Sequence, residues 1–238
     1  MLVKKRVEFR LHLAQALRNQ AEGIRLTART RRARERAIAT VRRAVSEIAM
    51  VPTPHSDAVV QMAAYCSTSL SLCLADAGRL EEAIAAEAAS LEKRRLLCSK
   101  SPQVYRRDWA FSLYTLAGYE MRRGCLQQAL ALPTEAVRHY GLLAKNSQEQ
   151  IGMFWAEALR VKARILAKSN REKRALQCFA KAIGVLHHGY AQCPEAFRNA
   201  LFSAIQEYAE LAVKLDVPIA RSVEDIVACE KQRAADTN

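Results

Sequence analysis

The stretch DAGRLEEAIAAEAASLEKRRLL, residues 76–97, decides the fold because it holds the end of one helix and the start of the next. Gly78 is suited to end the first helix, since glycine adopts the left-handed backbone of a helix C-terminus without a steric penalty. Leu80 begins a second helix, and the acidic Glu81 and Glu82 suit the positive end of its dipole. A turn this short predicts two antiparallel helices.

The same pattern returns with a fixed period. Gly124 stands 46 residues after Gly78, in RRGCLQQALAL, and Asn170 stands 46 residues after Gly124, in KSNREKRALQCFAKAI. Other residues share this period, namely Ala37, Ala83, Ala129 and Ala175, then Val59, Tyr105, Ile151 and Phe197, and finally the two tryptophans, Trp109 and Trp155. Several registers with one period indicate a repeat array of helical hairpins, in which each repeat packs against its neighbours.

We therefore predict an all-α protein, an α-solenoid of antiparallel hairpins with about ten helices. The predicted helices span about 4–30, 33–50, 55–77, 80–98, 102–123, 126–145, 148–168, 172–190, 195–215 and 219–234. They pair into repeats at about 4–50, 55–98, 102–145, 148–190 and 195–234 within one domain, 1–238. Pro133 is expected to kink its helix, with a restart of the helix at Pro133 as the alternative. Because the sequence begins almost inside its first predicted helix, an alternative is that the chain is a fragment of a longer array.

The segments LADAGRLEEAIAA and LAGYEMRRGCLQQALAL resemble the tetratricopeptide repeat, in which an alanine follows the glycine of the turn by five residues. The common form has about 34 residues per repeat. The longer period here is closer to the variant in kinesin light chains and in tandem arrays of large fungal and bacterial signalling proteins. The resemblance implies a right-handed superhelix, with the first helix of each repeat lining a concave groove that holds a peptide or a partner domain.

The resemblance also implies which side chains line the groove, if Ala64, Ala110 and Ala156 are the first residues of the repeat motif in their helices. The selected residues are aromatic in the middle and basic toward the fourth repeat: Tyr65, Phe111, Tyr114, Arg122, Arg160, Arg164 and Lys168. The last three share one helix face, and guanidinium groups bind carboxylates and phosphates, so we expect an acidic partner segment. Truncating these arginines is expected to leave the fold intact. The alternative is that they form only a solvated helix face.

Positive charge is concentrated at the N-terminus. The chain has a formal net charge of +13, and residues 1–50 hold 13 Lys and Arg against 4 Glu. A second hypothesis is therefore a nucleic acid or another anionic surface bound through Arg29, Arg31, Arg32, Arg34, Arg36, Arg42 and Arg43. The favoured alternative is that arginine stems cover a terminal hairpin with their charges in water, because no aromatic residues interleave with them.

The seven cysteines indicate free thiols, since their number is odd and no C-x-x-C pair occurs. Cys66 and Cys73 share one predicted helix face and are expected to be buried. We therefore expect a reducing compartment, the cytoplasm, and no zinc site. No uninterrupted run of apolar residues approaches a length of 18, so we also expect no transmembrane segment.

Sequence patterns of catalysis are nearly absent. No phosphate-binding glycine loop and no H-E-x-x-H occurs. SLEK, from Ser90 to Lys93, matches S-x-x-K without its companion segments, and Ser90 shares its register with Ala44, Ala136 and Ala182, so it is expected to be a packing residue. We therefore expect a protein–protein interaction scaffold with no enzymatic activity, catalytic residue, metal or cofactor, and with nucleic-acid binding as the alternative.

Overall fold

The computed structural model describes residues 2–52, 56–221 and 223–228. Within these ranges the regular secondary structure is helical, without a strand. The helices are α1 (Leu2–Thr27), α2 (Arg31–Ala49), α3 (Asp57–Asp76), α4 (Leu80–Lys100), α5 (Pro102–Arg123), α6 (Leu126–Lys168), α7 (Glu172–Gln192) and α8 (Pro194–Lys214). Residues 223–228 are helical as well, and the rest of the last predicted helix, beyond 228, lies outside the described residues. The all-α prediction is confirmed.

The turns between helices keep the predicted period. Four residues spaced by 46 have a left-handed backbone: Gly78 (φ 80°), Gly124 (φ 94°), Asn170 (φ 56°) and Asp216 (φ 52°). Three of these turns close with a hydrogen bond back to the preceding helix, from Arg79 N to Leu74 O at 2.9 Å, Arg171 N to Leu166 O at 2.9 Å and Val217 N to Ala212 O at 3.1 Å. The period predicted from the sequence therefore extends to the turn at Asp216.

The first repeat departs from this pattern, and its sequence has Arg32 at the position that corresponds to Gly78. α1 ends at Thr27, and Thr30 caps α2 by accepting a hydrogen bond from Ala33 N at 3.2 Å. A hydroxyl at the N-cap satisfies a free backbone N–H of the first turn. This cap takes the place of the left-handed residue, and α2 starts three residues before the position that corresponds to Leu80.

Small residues lie at the close contacts between helices. Ala37, Ala83, Ala129 and Ala175 are almost or completely buried. Alanine at such a position lets two backbones approach, and a larger side chain would push them apart. The burial of all four residues agrees with a packing role for this register.

Replacing Ala129 with leucine should therefore lower the free energy of unfolding by about 1–3 kcal/mol, because the added atoms must force neighbouring side chains from their rotamers. Chemical denaturation followed by circular dichroism measures this change. Ala131→Leu is the matched control, since Ala131 is exposed on the same helix. An Ala129→Leu protein as stable as the Ala131→Leu protein would contradict the assigned register.

The two halves of helix α6 contact each other. The rings of Tyr140 and Phe154 stack with their centroids 6.4 Å apart, and a Cβ at Gly141 would lie 3.7 Å from the ring of Trp155. In a straight helix 14 residues would span about 21 Å. The contacts agree with the predicted antiparallel helices at 126–145 and 148–168, although the backbone is helical throughout. The helix also continues through Pro133, so the alternative of a restart there is wrong.

The chain divides into two compact units, unit 1 (Met1–Arg123) and unit 2 (Gly124–Asn238). In unit 1, consecutive helices pack on one another and α1 also packs on α3. In unit 2, α7 packs on α6 and α8, around a core that includes Phe179, Ile183 and Leu201. The handedness of the array and its description as one domain stay predictions.

One described helix, α3, is long and apolar enough to cross a membrane by length and composition. Half of this apolar stretch is buried inside the protein, and the core helix of a water-soluble protein has the same composition. α3 contributes Val59, Cys66 and Leu74 to the cores of unit 1. Its composition is therefore accounted for by its place between neighbouring helices.

Candidate functional site

A buried carboxylate lies at the centre of unit 1. Glu87 of α4 is 0 % exposed. It accepts hydrogen bonds from Ser71 Oγ at 2.6 Å, Ser112 Oγ at 2.6 Å and Thr68 Oγ1 at 3.3 Å. Burial raises the pKa of Glu87 and outweighs the opposing effects of the Arg94 charge and of the three hydroxyl donors. Helices α3, α4 and α5 are thus joined through one acceptor.

Arg94 links this buried cluster to the surface. Its Nη1 donates to Ser112 Oγ and to the backbone oxygen of Asp108, both at 2.8 Å, and the side chain is almost fully buried. The guanidinium carbon lies 5.5 Å from the ring centroid of Tyr65 and 5.7 Å from that of Phe111. An arginine at this distance attracts the electron-rich ring faces. Arg94 therefore holds two of the predicted groove residues in fixed positions.

Tyr65 is also held through its hydroxyl group. The Tyr65 hydroxyl donates to Asp108 Oδ2 at 2.6 Å and accepts from Gln61 Nε2 at 3.0 Å. Arg18 of α1 lies over the same ring, 5.5 Å from its centroid. Burial, followed by the interaction with Asp108, raises the pKa of Tyr65. α1, α3 and α5 therefore meet at this side chain.

The structure brings three of the predicted groove residues of unit 1 together. Phe111 packs edge-on against Tyr114 with the ring centroids 5.2 Å apart, and Phe111 shares Arg94 with Tyr65. Tyr65 and Phe111 are partly exposed, whereas Tyr114 is buried. Arg122 is exposed at the other end of α5 and does not belong to this cluster. We call Tyr65, Phe111, Arg94 and Asp108 the aromatic–arginine surface.

The basic residues predicted for the fourth repeat are largely neutralised within unit 2. Arg160 Nη1 donates to Glu157 Oε2 at 2.9 Å, and Nη2 binds Ser203 and Glu207 of α8. Arg164 donates to both carboxylate oxygens of Glu207, at 3.0 and 2.7 Å. Burial opposes ionisation of Glu207, but hydrogen bonds from the two arginines outweigh it and lower the pKa of Glu207.

This arrangement bears on two expectations. The expectation that truncating these arginines leaves the fold intact takes them to lie outside the core, whereas Arg160 is only 8 % exposed. The effect of truncating Arg160 stays a prediction. Two arginines and two glutamates cancel in charge, so this cluster offers an acidic partner little electrostatic attraction. Lys168 is exposed on the same helix face. A joint site of these residues with Tyr114 stays a prediction.

The basic N-terminal residues are all on the surface. Arg29, Arg31, Arg32, Arg34, Arg36, Arg42 and Arg43 are exposed. Among the described residues, the one ion pair of this group joins Arg42 Nη2 to Glu82 Oε2 at 3.2 Å. The others keep their guanidinium groups in water. A concentrated positive surface is thus present along α2 and the turn before it.

The cysteines of the described ranges are free thiols, as expected from the sequence. Cys66 and Cys73 are buried, and burial raises the pKa of each to about 11. Such thiols are protonated and unreactive at neutral pH. Cys193 is exposed, and Cys229 lies outside the described residues. No group of His, Cys, Asp and Glu among the described residues could hold a metal ion.

Sequence reasoning missed Glu87, Arg94 and Asp108, although one indication was present. Glu87 occupies the register held by Val41, Pro133 and Phe179 in the other repeats. Ser112 similarly takes the register of Cys66 and Ala158. A polar residue in an otherwise apolar register predicts a buried polar contact specific to one repeat. Ser90 packs as predicted, but its hydroxyl also donates to Ala64 O at 3.0 Å.

Glu87 should make the stability of the protein depend on pH. Because its pKa is raised in the folded state above the ordinary value of 4.5, the protonated form favours folding. Its contribution should be fully present below pH 4.5 and should decline as pH rises from there through the raised pKa. Glu87→Gln keeps the shape of the side chain but has no ionisable group. In denaturant titrations, the free energy of unfolding of the wild type minus that of Glu87→Gln should therefore fall from pH 4 to pH 8. A constant difference would contradict the raised pKa.

Comparison of the sequence with protein-family models and with curated proteins adds no relative to these observations. The resemblance to tetratricopeptide repeats therefore depends on the 46-residue period, the left-handed turns and the buried alanines. No protein-family model matches the chain, and no curated protein matches its sequence.

Proposed function

We propose that the protein is a non-enzymatic interaction scaffold that binds a protein or peptide partner on the aromatic–arginine surface of unit 1. The main observation behind this proposal is that Tyr65 and Phe111 are partly exposed and both lie in cation–π contact with one buried arginine, Arg94. Tyrosine and arginine are enriched among the residues that dominate binding energy in protein interfaces. A surface already held in place loses less conformational entropy on binding.

The chemistry of this surface favours a partner with both apolar and polar groups. Phe111 and Tyr65 contribute partly exposed aromatic rings, while Asp108 and Gln61 supply hydrogen-bonding groups beside the Tyr65 hydroxyl. The buried network around Glu87 lies behind Arg94 and fixes its position through Ser112. The proposal thus differs from the acidic-partner site expected at Arg160 and Arg164, whose charges are compensated internally.

Affinity capture from extracts of the source cells tests this proposal. Wild type, Phe111→Ala and Gln61→Glu would be immobilised, and the captured proteins quantified by mass spectrometry. Gln61→Glu introduces charge beside Tyr65 without removing packing. Leu26→Ala is the control, since Leu26 is exposed elsewhere in unit 1. Specific partners should be lost with both surface variants and retained with Leu26→Ala. The same set of proteins captured by every variant would refute the proposal.

A second candidate function is binding of a polyanion along α2, which the exposed and largely unpaired arginines favour. Replacing Arg31, Arg34 and Arg43 with glutamine removes charge without breaking an ion pair of the described residues. A fluorescent single-stranded RNA and a polyglutamate peptide serve as probes. Binding to RNA should fall by about tenfold or more between about 50 and about 200 mM salt, because phosphate contacts release counterions. The triple variant should lose this binding. Binding of polyglutamate alone would indicate an acidic protein partner instead.

A further inference from the structure

An apolar cavity opens between three helices of unit 1, away from the residues of the aromatic–arginine surface. Its volume is about 430 Å³, which lies within the range of small-molecule sites. α2 contributes Val45 and Ile48, α3 contributes Val59 and Ala63, and α4 contributes Leu96. Leu96 is 54 % exposed although it is a large apolar residue. The cavity is thus accessible from the surface and lined mainly by aliphatic side chains.

One charged group lies in this lining. Lys93 of α4 is half-buried at the cavity, and its Nζ donates to Ala89 O of its own helix at 3.0 Å. Among the described residues, no carboxylate lies within ion-pair distance of this amine. Burial alone lowers the pKa of Lys93, which means that no acidic neighbour offsets the loss of water. Ser67 adds a hydroxyl to the same lining.

The structure assigns to this cavity a small amphiphile with an aliphatic tail and a carboxylate head group. The tail packs against Ile48, Val59 and Ala63, and the head group binds the amine of Lys93. Aliphatic walls favour a tail without polar atoms, since an unpaired polar atom there would lose its hydration. The amine carries three donors and no acceptor, so the complementary head group is an anionic acceptor. A bound carboxylate would also offset the desolvation of the amine. This inference does not depend on the proposed scaffold function.

Binding of decanoate to the full chain, measured by isothermal titration calorimetry, tests the inference. Decan-1-ol and decyltrimethylammonium have the same tail with a neutral and a cationic head. Decanoate should bind more tightly than decan-1-ol by about tenfold or more, because a charge-assisted hydrogen bond is added, and decyltrimethylammonium should bind least. No binding of decanoate, or equal affinity for all three compounds, would overturn the assignment.

Four variants locate the site. Lys93→Met should remove the preference for decanoate over decan-1-ol, while Lys93→Arg should retain it. Ala63→Phe should fill the cavity and abolish binding of both compounds. Lys214→Met is the control for a lysine outside the cavity and should bind as wild type does. Thermal melting by circular dichroism confirms that each variant is folded. Unchanged decanoate binding by Lys93→Met or by Ala63→Phe would place the compound elsewhere and refute the inference.

Discussion

Replacing Glu87 with alanine is expected to lower the free energy of unfolding by about 3–5 kcal/mol. Two costs combine. The hydroxyl groups of Ser71, Ser112 and Thr68 lose their shared acceptor while remaining buried. The lost side chain also leaves a cavity between α3, α4 and α5, which close-packed neighbours fill only in part.

One further variant separates these costs, and a second serves as the control. Glu87→Gln keeps the volume and one acceptor oxygen, so it should destabilise less than Glu87→Ala. Glu92→Ala is the matched control, because Glu92 lies on the same helix and forms only an exposed ion pair with Arg95. Chemical denaturation followed by circular dichroism measures each variant. If Glu87→Ala unfolds at the same denaturant concentration as Glu92→Ala, the buried network does not stabilise unit 1.

Arg160→Met should lower the free energy of unfolding by about 2–3 kcal/mol. Removing one partner of a buried ion pair leaves the other charge with poorer compensation, and Arg160 joins α6 to Ser203 and Glu207 of α8. The expected loss in the free energy of unfolding is smaller than that for a fully buried ion pair, because Glu207 is partly exposed and keeps Arg164 as a partner. Methionine conserves much of the side-chain volume, so the loss reports mainly on charge and hydrogen bonds.

Lys168→Met provides the control for this experiment. Lys168 follows Arg160 by two helical turns on the same face, but its side chain is exposed. Its removal should leave the unfolding transition unchanged. Equal stability of the Arg160→Met and Lys168→Met proteins would show that the contacts to α8 contribute nothing measurable, and that this face of α6 is a solvated surface after all.

The sequence by itself determined the helical class, the 46-residue period and most helix boundaries. These features depend on local chemistry. A left-handed backbone is most accessible to glycine and to residues such as Asn170 and Asp216, and alanine recurs where backbones approach. Such preferences operate over a few residues, so they can be read without knowledge of distant partners. The first repeat was less predictable, because a Thr30 cap replaces the left-handed turn there.

Only the tertiary structure decided which polar groups are compensated and which remain available. A helix period shows that Arg160 and Arg164 share a face, but it does not show that Glu207, 43 residues beyond Arg164, meets both. Glu87, Ser71 and Ser112 likewise converge from three helices. Lys93 has no such partner among the described residues and lies at an apolar cavity instead. These outcomes depend on the rotation of each helix about its axis and on side-chain rotamers, which local preference does not specify.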